Sequence, residues 1–159
     1  FVIIMQKTIL ILNKMSKVEA FLTSQEEQEI VKAIQVSEKN TSGEIRVHIE
    51  GTTKKDHYER AIELFHFLKM NATKDANGVL IYVAVNDKKF VIYGDKGIND
   101  VVPKDFWDST KDSIQSQFKQ GNFKQGMVDG ILKAGEELQS HFPYQTDDVD
   151  ELSNEISKG

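Results

Sequence analysis

Residues 79–85, Val-Leu-Ile-Tyr-Val-Ala-Val, form an apolar run with no polar side chain at alternate positions and four β-branched residues. A strand with one wet face alternates. A strand of this kind needs cover on both faces, as central strands of α/β sheets do. Residues 44–50 do alternate, with Ile45, Val47 and Ile49 on one side and Glu44, Arg46, His48 and Glu50 on the other. They read as a half-buried strand, with His48 on its partly exposed polar face. Asn86-Asp87-Lys88-Lys89 is a turn sequence, and Phe90–Tyr93 after it completes a hairpin with the apolar run.

Helices must supply the cover, and their signals lie between and after these strands. Thr23 with Glu26, or Ser24 with Glu27, offers a capping box before Ile30, Ala33 and Ile34. Asp56 with Glu59 marks a second start, followed by the stripe Tyr58, Ala61, Ile62, Phe65 and Leu68. Pro103 suits a helix's first turn, and Phe106, Trp107, Thr110, Ile114 and Phe118 follow at helical spacing. Gly121-Asn122 ends that helix and caps the next, whose stripe is Phe123, Met127, Ile131, Ala134 and Leu138. Gly126 and Gly130, one turn apart, predict close approach to a neighbouring element.

The order is therefore α-β-α-β-β-α-α. The first two strands and the helix between them form a βαβ unit, so they run parallel with a right-handed crossover. The hairpin adds an antiparallel third strand. The predicted fold class is α/β, an α/β/α sandwich around a small mixed sheet.

A chain of 159 residues fits one domain, assigned here to residues 21–143. Residues 1–20 are set apart: the apolar stretch up to Leu12 is interrupted by Gln6-Lys7-Thr8 and is too short for a membrane span. Residues 1–14 read as a leader translated from an upstream start, the alternative being an extra edge strand. Residues 144–159 are acidic and poor in large apolar groups, the composition of a disordered tail. From Thr146 onward five carboxylates face one lysine, so most of the net charge of −5 lies there and the body is near neutral. A near-neutral body excludes nucleic acid as a partner. With no cysteine, disulfides, thiolate zinc sites and cysteine nucleophiles are excluded. No signal peptide or spanning helix is legible, and the expectation is a cytoplasmic monomer.

The topology decides which loops are neighbours. Ser42-Gly43-Glu44, Asp75-Ala76-Asn77-Gly78 and Gly94–Asp100 belong to one end of the sheet, bringing Glu44, Asp75, Asn77, Asp95 and Asp100 to one region. An all-oxygen, carboxylate-rich set suits a hard cation, Ca²⁺ before Mg²⁺. The plain account of such Asp/Asn/Gly-rich loops is that they are turns. The opposite end gathers Thr52–Lys55 and Asn86–Lys89. Ligands of parallel α/β sheets usually bind at that carboxyl end, yet no glycine-rich phosphate loop accompanies these lysines, and they read as a solvated turn. No serine stands in a nucleophile elbow, and His57 and His66 lie on opposite sides of one helix.

Ser42-Gly43-Glu44-Ile45-Arg46-Val47, Asn77-Gly78-Val79-Leu80-Ile81-Tyr82-Val83 and Gly94-Asp95-Lys96-Gly97-Ile98 resemble successive motifs of the TPM domain family. Phe106-Trp107-Asp108, Phe118–Phe123 and His141-Phe142-Pro143 are similar to those of its shorter bacterial branch. The resemblance runs from about Leu22 to Pro143. It implies a Rossmann-like α/β/α sandwich, calcium binding at acidic loops, acid phosphatase activity in plant relatives, and action on membrane protein complexes. Carried over, the family's site lands on Asp95, Asn77 and Asp100. Where the family often has Asp before Asn-Gly, this chain has Ala76, and the nearest carboxylate is Asp75. The expected function is a non-enzymatic Ca²⁺-binding module with a protein-interaction role in maintaining protein complexes. The alternative is a metal-dependent acid phosphatase acting on phosphate monoesters.

Overall fold

In the computed structural model, which describes residues 21–144 and 153–159, the apolar run is β2 (Gly78–Ala84), with all seven residues buried. It pairs parallel with β1 (Glu44–Glu50), Glu44 opposite Gly78 and Glu50 opposite Ala84. It pairs antiparallel with β3 (Lys89–Gly94), Val79 opposite Gly94. The hairpin turns through Lys88, whose φ of 53° is left-handed. A fourth strand, β4 (Ser157–Lys158), pairs parallel with β1 at His48 and Ile49, giving the order β3-β2-β1-β4.

Helices cover both faces. On one side lie α1 (Ser24–Glu38), α4 (Asp108–Lys119) and α5 (Phe123–Gln139). Their Ile30, Ile34, Ile114, Met127, Ile131 and Leu138 pack on Ile45, Val47, Ile49, Val79, Ile81 and Val83 of the sheet. On the other side α2 (His57–Phe67) and the 3₁₀ turn Met70–Ala72 bring Ala61, Leu64, Phe65 and Met70 onto Leu80, Tyr82 and Ala84. The layers are the predicted α/β/α sandwich with a parallel βαβ unit and a hairpin. A short helix, α3 (Lys96–Asn99), occupies the segment read as a loop after β3.

Local signals account for most boundaries. Thr23 and Glu26 make the capping box of α1, with bonds of 3.1 and 3.0 Å. Asp56 caps α2 by accepting from the Tyr58 and Glu59 amides. Gly121, at φ 77°, reverses the chain between α4 and α5. The α5 glycines provide close approach: a Cβ on Gly130 would stand 2.4 Å from the Ile114 side chain, and one on Gly126 2.6 Å from the Phe118 ring.

Four expectations need correction. Asn122 is the N-cap residue of α5 as expected, but its side chain makes no capping bond and donates to Gln117 Oε1 instead. Pro103 opens a turn that precedes α4, with the Phe106 amide donating to its carbonyl. The composition that marks residues 144–159 as disordered does not extend to Ser157–Lys158, which form β4; residues 145–152 lie outside the described residues. The first 20 residues, with the leader and edge-strand readings, also lie outside them.

The fourth correction concerns the polar face of β1. It is buried, His48 being 4 % exposed and Glu50 6 %, with Arg60 of α2 over Glu50 and the C-terminal Ser157 and Gly159 beside His48. Arg60 of α2 makes a bidentate pair with Glu50, both contacts at 2.9 Å, and the Tyr82 hydroxyl donates to Glu50 Oε1 at 2.6 Å. His48 Nδ1 bonds Ser157 Oγ at 3.0 Å, and its Nε2 lies 3.8 Å from Glu50. Burial alone would raise the Glu50 carboxyl, but the hydrogen bonds from Arg60 and Tyr82, the nearby His48 and the charge of Arg60 hold it far below the usual range. Burial and the bond to Glu50 push the Tyr82 hydroxyl up, so it remains a donor.

Removing Arg60 leaves a buried carboxylate without its cation. Arg60→Leu is expected to cost about 3 kcal/mol in urea denaturation, and Glu50→Gln less, because Arg60 keeps partial access to water. Since Glu50 titrates lower folded than unfolded, its contribution is present above the unfolded value of 4.5 and declines as pH falls below it. The wild type should therefore lose stability between pH 5 and about pH 3 more steeply than Glu50→Gln, and thermal melts across that range check it.

Candidate functional site

The three acidic segments meet where β1 and β2 begin and β3 ends. The Glu44 amide donates to the Asn77 carbonyl at 3.3 Å, the Asp95 amide to Gly78 at 2.9 Å and the Gly97 amide to Ala76 at 2.8 Å. Ala76 is left-handed, with φ 48°. Gly97 sits so close beneath it that an added Cβ would stand 2.1 Å from the Asp75 carbonyl oxygen and 2.6 Å from that of Ala76. Only glycine permits this junction.

At its centre Asn77 is 1 % exposed. Its amide nitrogen donates to Ser42 Oγ at 3.2 Å, and its backbone N–H donates to Thr73 Oγ1 at 3.1 Å. Its Oδ1 is enclosed and accepts no hydrogen bond among the described residues. A buried amide oxygen left this way costs about 1–3 kcal/mol.

The carboxylates are arranged differently. Asp95 caps α3, its Oδ1 accepting from the Lys96 amide at 2.7 Å. Asp100 is the C-cap residue of that helix and is exposed, as is Asp75 on the preceding loop. Glu44 is buried, but the alternation of β1 puts its side chain on the α2 face with His48 and Glu50. Among the described residues, no three His, Asp or Glu side chains stand close enough to hold a metal ion. The donor chemistry is all oxygen and suits Ca²⁺. The backbones converge and the carboxylates do not.

At the opposite end sequence reasoning missed a polar junction. Asp87 of the hairpin turn accepts from Thr52 Oγ1 at 2.7 Å, from the Thr53 amide at 3.2 Å and bonds His57 Nε2 at 2.9 Å. The Thr52 bond and then the His57 bond hold the Asp87 carboxyl below its usual range. The available signal was topological, since Thr52–Lys55 and Asn86–Lys89 were already at one end of the sheet.

The sequence matches the TPM domain family over residues 15–137. The chain is a TPM domain. The NMR structure of BA42 protein from the psychrophilic bacterium Bizionia argentinensis is 67% identical, with a TM-score of 0.86, over 91% of this chain and 99% of that one. The N-terminal domain of a protein from P. gingivalis shares the fold at 14% identity and a TM-score of 0.64, covering 79% of this chain and 82% of that one. That of the cg2496 protein from Corynebacterium glutamicum does so at 12% and 0.61, covering 78% of each chain. No curated protein matches the chain. Among the described residues, no helix of this TPM domain is long and apolar enough to cross a membrane.

The loop junction makes a direct demand on Gly97. Gly97→Ala should destabilise the domain by about 3 kcal/mol in urea, because the obstacles are backbone oxygens that cannot rotate away. An unchanged midpoint would show that the two loops do not touch in solution.

Proposed function

We propose that the domain is a non-enzymatic, monomeric, cytoplasmic module that binds Ca²⁺ at the loop end of the sheet and presents those loops to a protein partner. The observation that carries this reading is Asn77 Oδ1, a buried oxygen without a donor among the described residues, where three oxygen-rich loops meet. A hard cation would supply the missing partner. Asp75, Asp95 and Asp100 stand on the surrounding loops, and drawing any of them inward needs a loop shift, which predicts weak affinity. Mg²⁺ would fit less well, because it demands a tighter and more regular ligand shell. Cation-dependent loop order would make partner binding metal-dependent and bear on the maintenance of protein complexes.

Titration of the full chain with CaCl₂, followed by backbone amide NMR, is expected to shift residues 42–44, 75–78 and 95–100 saturably at millimolar or lower metal. Silence there would end the reading. Asn77→Asp adds a charge at the same oxygen position and should tighten Ca²⁺ by about tenfold while lowering stability without metal. Metal-dependent cleavage of an aryl phosphate that vanishes in folded Asp95→Ala would replace the module with the acid phosphatase.

A further inference from the structure

At the far end of the sheet from the acidic loops, where β1 and β2 finish, lies a half-open groove of about 500 Å³. Its wall is a chain of four rings. Phe90 meets Phe118 at a centroid distance of 5.7 Å, Phe118 meets Phe123 at 5.4 Å, and Phe123 meets Phe21 at 4.7 Å. Val83, Ala84 and Val85 line it from the sheet. Part of this apolar wall stays accessible, with Phe123 38% exposed.

Lys88, Lys89 and Lys119 stand on its rim, all exposed and none ion-paired among the described residues. The carboxylate next to them in sequence, Asp87, is held by Thr52, Thr53 and His57. Among the described residues, the other lining polar groups are the neutral Gln115 and backbone. The groove therefore combines an aromatic interior with a positive mouth, and no carboxylate lines it among the described residues. Its size is that of small-molecule sites, and it opens beside the carboxyl end of β2 and the hairpin that follows.

We propose that this groove binds a small organic anion with a flat aromatic body, its rings packed on Phe90, Phe118 and Phe123 and its carboxylate at Lys88, Lys89 and Lys119. Ring edges and faces meeting at the wall favour a further ring over an alkyl chain. The exposed lysines add attraction that salt screens, so they select charge while the rings supply burial. The site is independent of the Ca²⁺ reading, because no residue is shared with the acidic loops.

The test is titration of the labelled full chain with 2-naphthoate, and with neutral 2-naphthylmethanol as control. Saturable amide shifts are expected in residues 83–90 and 115–123, with naphthoate binding about tenfold tighter than the alcohol. The exposed double variant Lys89→Glu/Lys119→Glu should weaken naphthoate about tenfold and leave the alcohol unchanged. In the wild type, raising the salt to 0.5 M should weaken naphthoate alone, a check that survives if the variant misfolds. The proposal fails if shifts do not saturate or fall elsewhere, if acid and alcohol bind alike, or if neither variant nor salt alters naphthoate binding. Line broadening in residues 83–90 and 115–123 that grows with protein concentration in the absence of ligand would make the occupant a second copy of the chain, and would also overturn it.

Discussion

Burying all seven residues of β2 forces cover onto both of its faces, and the two covers are unequal. One face receives three helices and most of the aliphatic core. The other receives α2 and a single 3₁₀ turn. Because β1 lies beside β2 in parallel register, the side chains of Glu44, His48 and Glu50 fall on the same face as Leu80, Tyr82 and Ala84 and are buried there, Glu50 under Arg60 of α2 and His48 beside Ser157 and Gly159. A lone carboxylate could not be placed there without a large desolvation cost. Arg60 solves this from within the covering helix, and the Tyr82 hydroxyl supplies a further bond from the buried strand. The demand made by an apolar strand thus ends in an ion pair that fixes where α2 sits.

The same parallel pairing gives the sheet two chemically different ends. At the end where β1 and β2 start, loops meet through backbone amides and carbonyls, and close approach depends on Gly97 and on left-handed Ala76. That junction is crowded and leaves one enclosed side-chain oxygen at Asn77. At the other end the hairpin and the α4–α5 turn diverge, and the space between them is lined by rings and edged by lysines. At the open end the turn at Gly121-Asn122 joins α4 to α5, and the hairpin and Phe21 stand beside their junction.

Much of the architecture was legible because it rests on pattern. The unbroken run at Val79–Val85, the alternation of residues 44–50 and the cap residues Thr23 and Asp56 each state a local preference that the whole fold satisfies. The three loops were placed together by topology alone, and they meet. Burial of the polar side of β1 was not legible, since alternation predicts a wet face and cannot report that Arg60 and the C-terminal residues close over it. Phe118 and Phe123 have core spacing, and nothing in their periodicity says that the rings line an open groove. Side-chain direction also stayed hidden: Glu44 and Asn77 are adjacent in the folded chain, yet the strand pleat carries the carboxylate onto the α2 face.

The sheet's edges explain why an acidic, apolar-poor segment can still return to the fold. Without the C-terminal segment the outer edge of β1 would offer unpaired backbone groups at Ile49, whose carbonyl accepts from the Gly159 amide at 3.0 Å, an invitation to pair with another chain. Ser157–Lys158 lies along that edge and needs no large apolar group to do so. Its side chains find partners already in place: Ser157 bonds His48, and Lys158 pairs with Glu27 of α1 at 2.5 Å. Ile156 adds an aliphatic contact with the core. At the other edge β3 is bounded by Lys88 and Lys89, whose charges oppose strand addition. One edge is covered and the other charged, so the lysines beside the aromatic groove keep strands away from a place where a small anion can still approach.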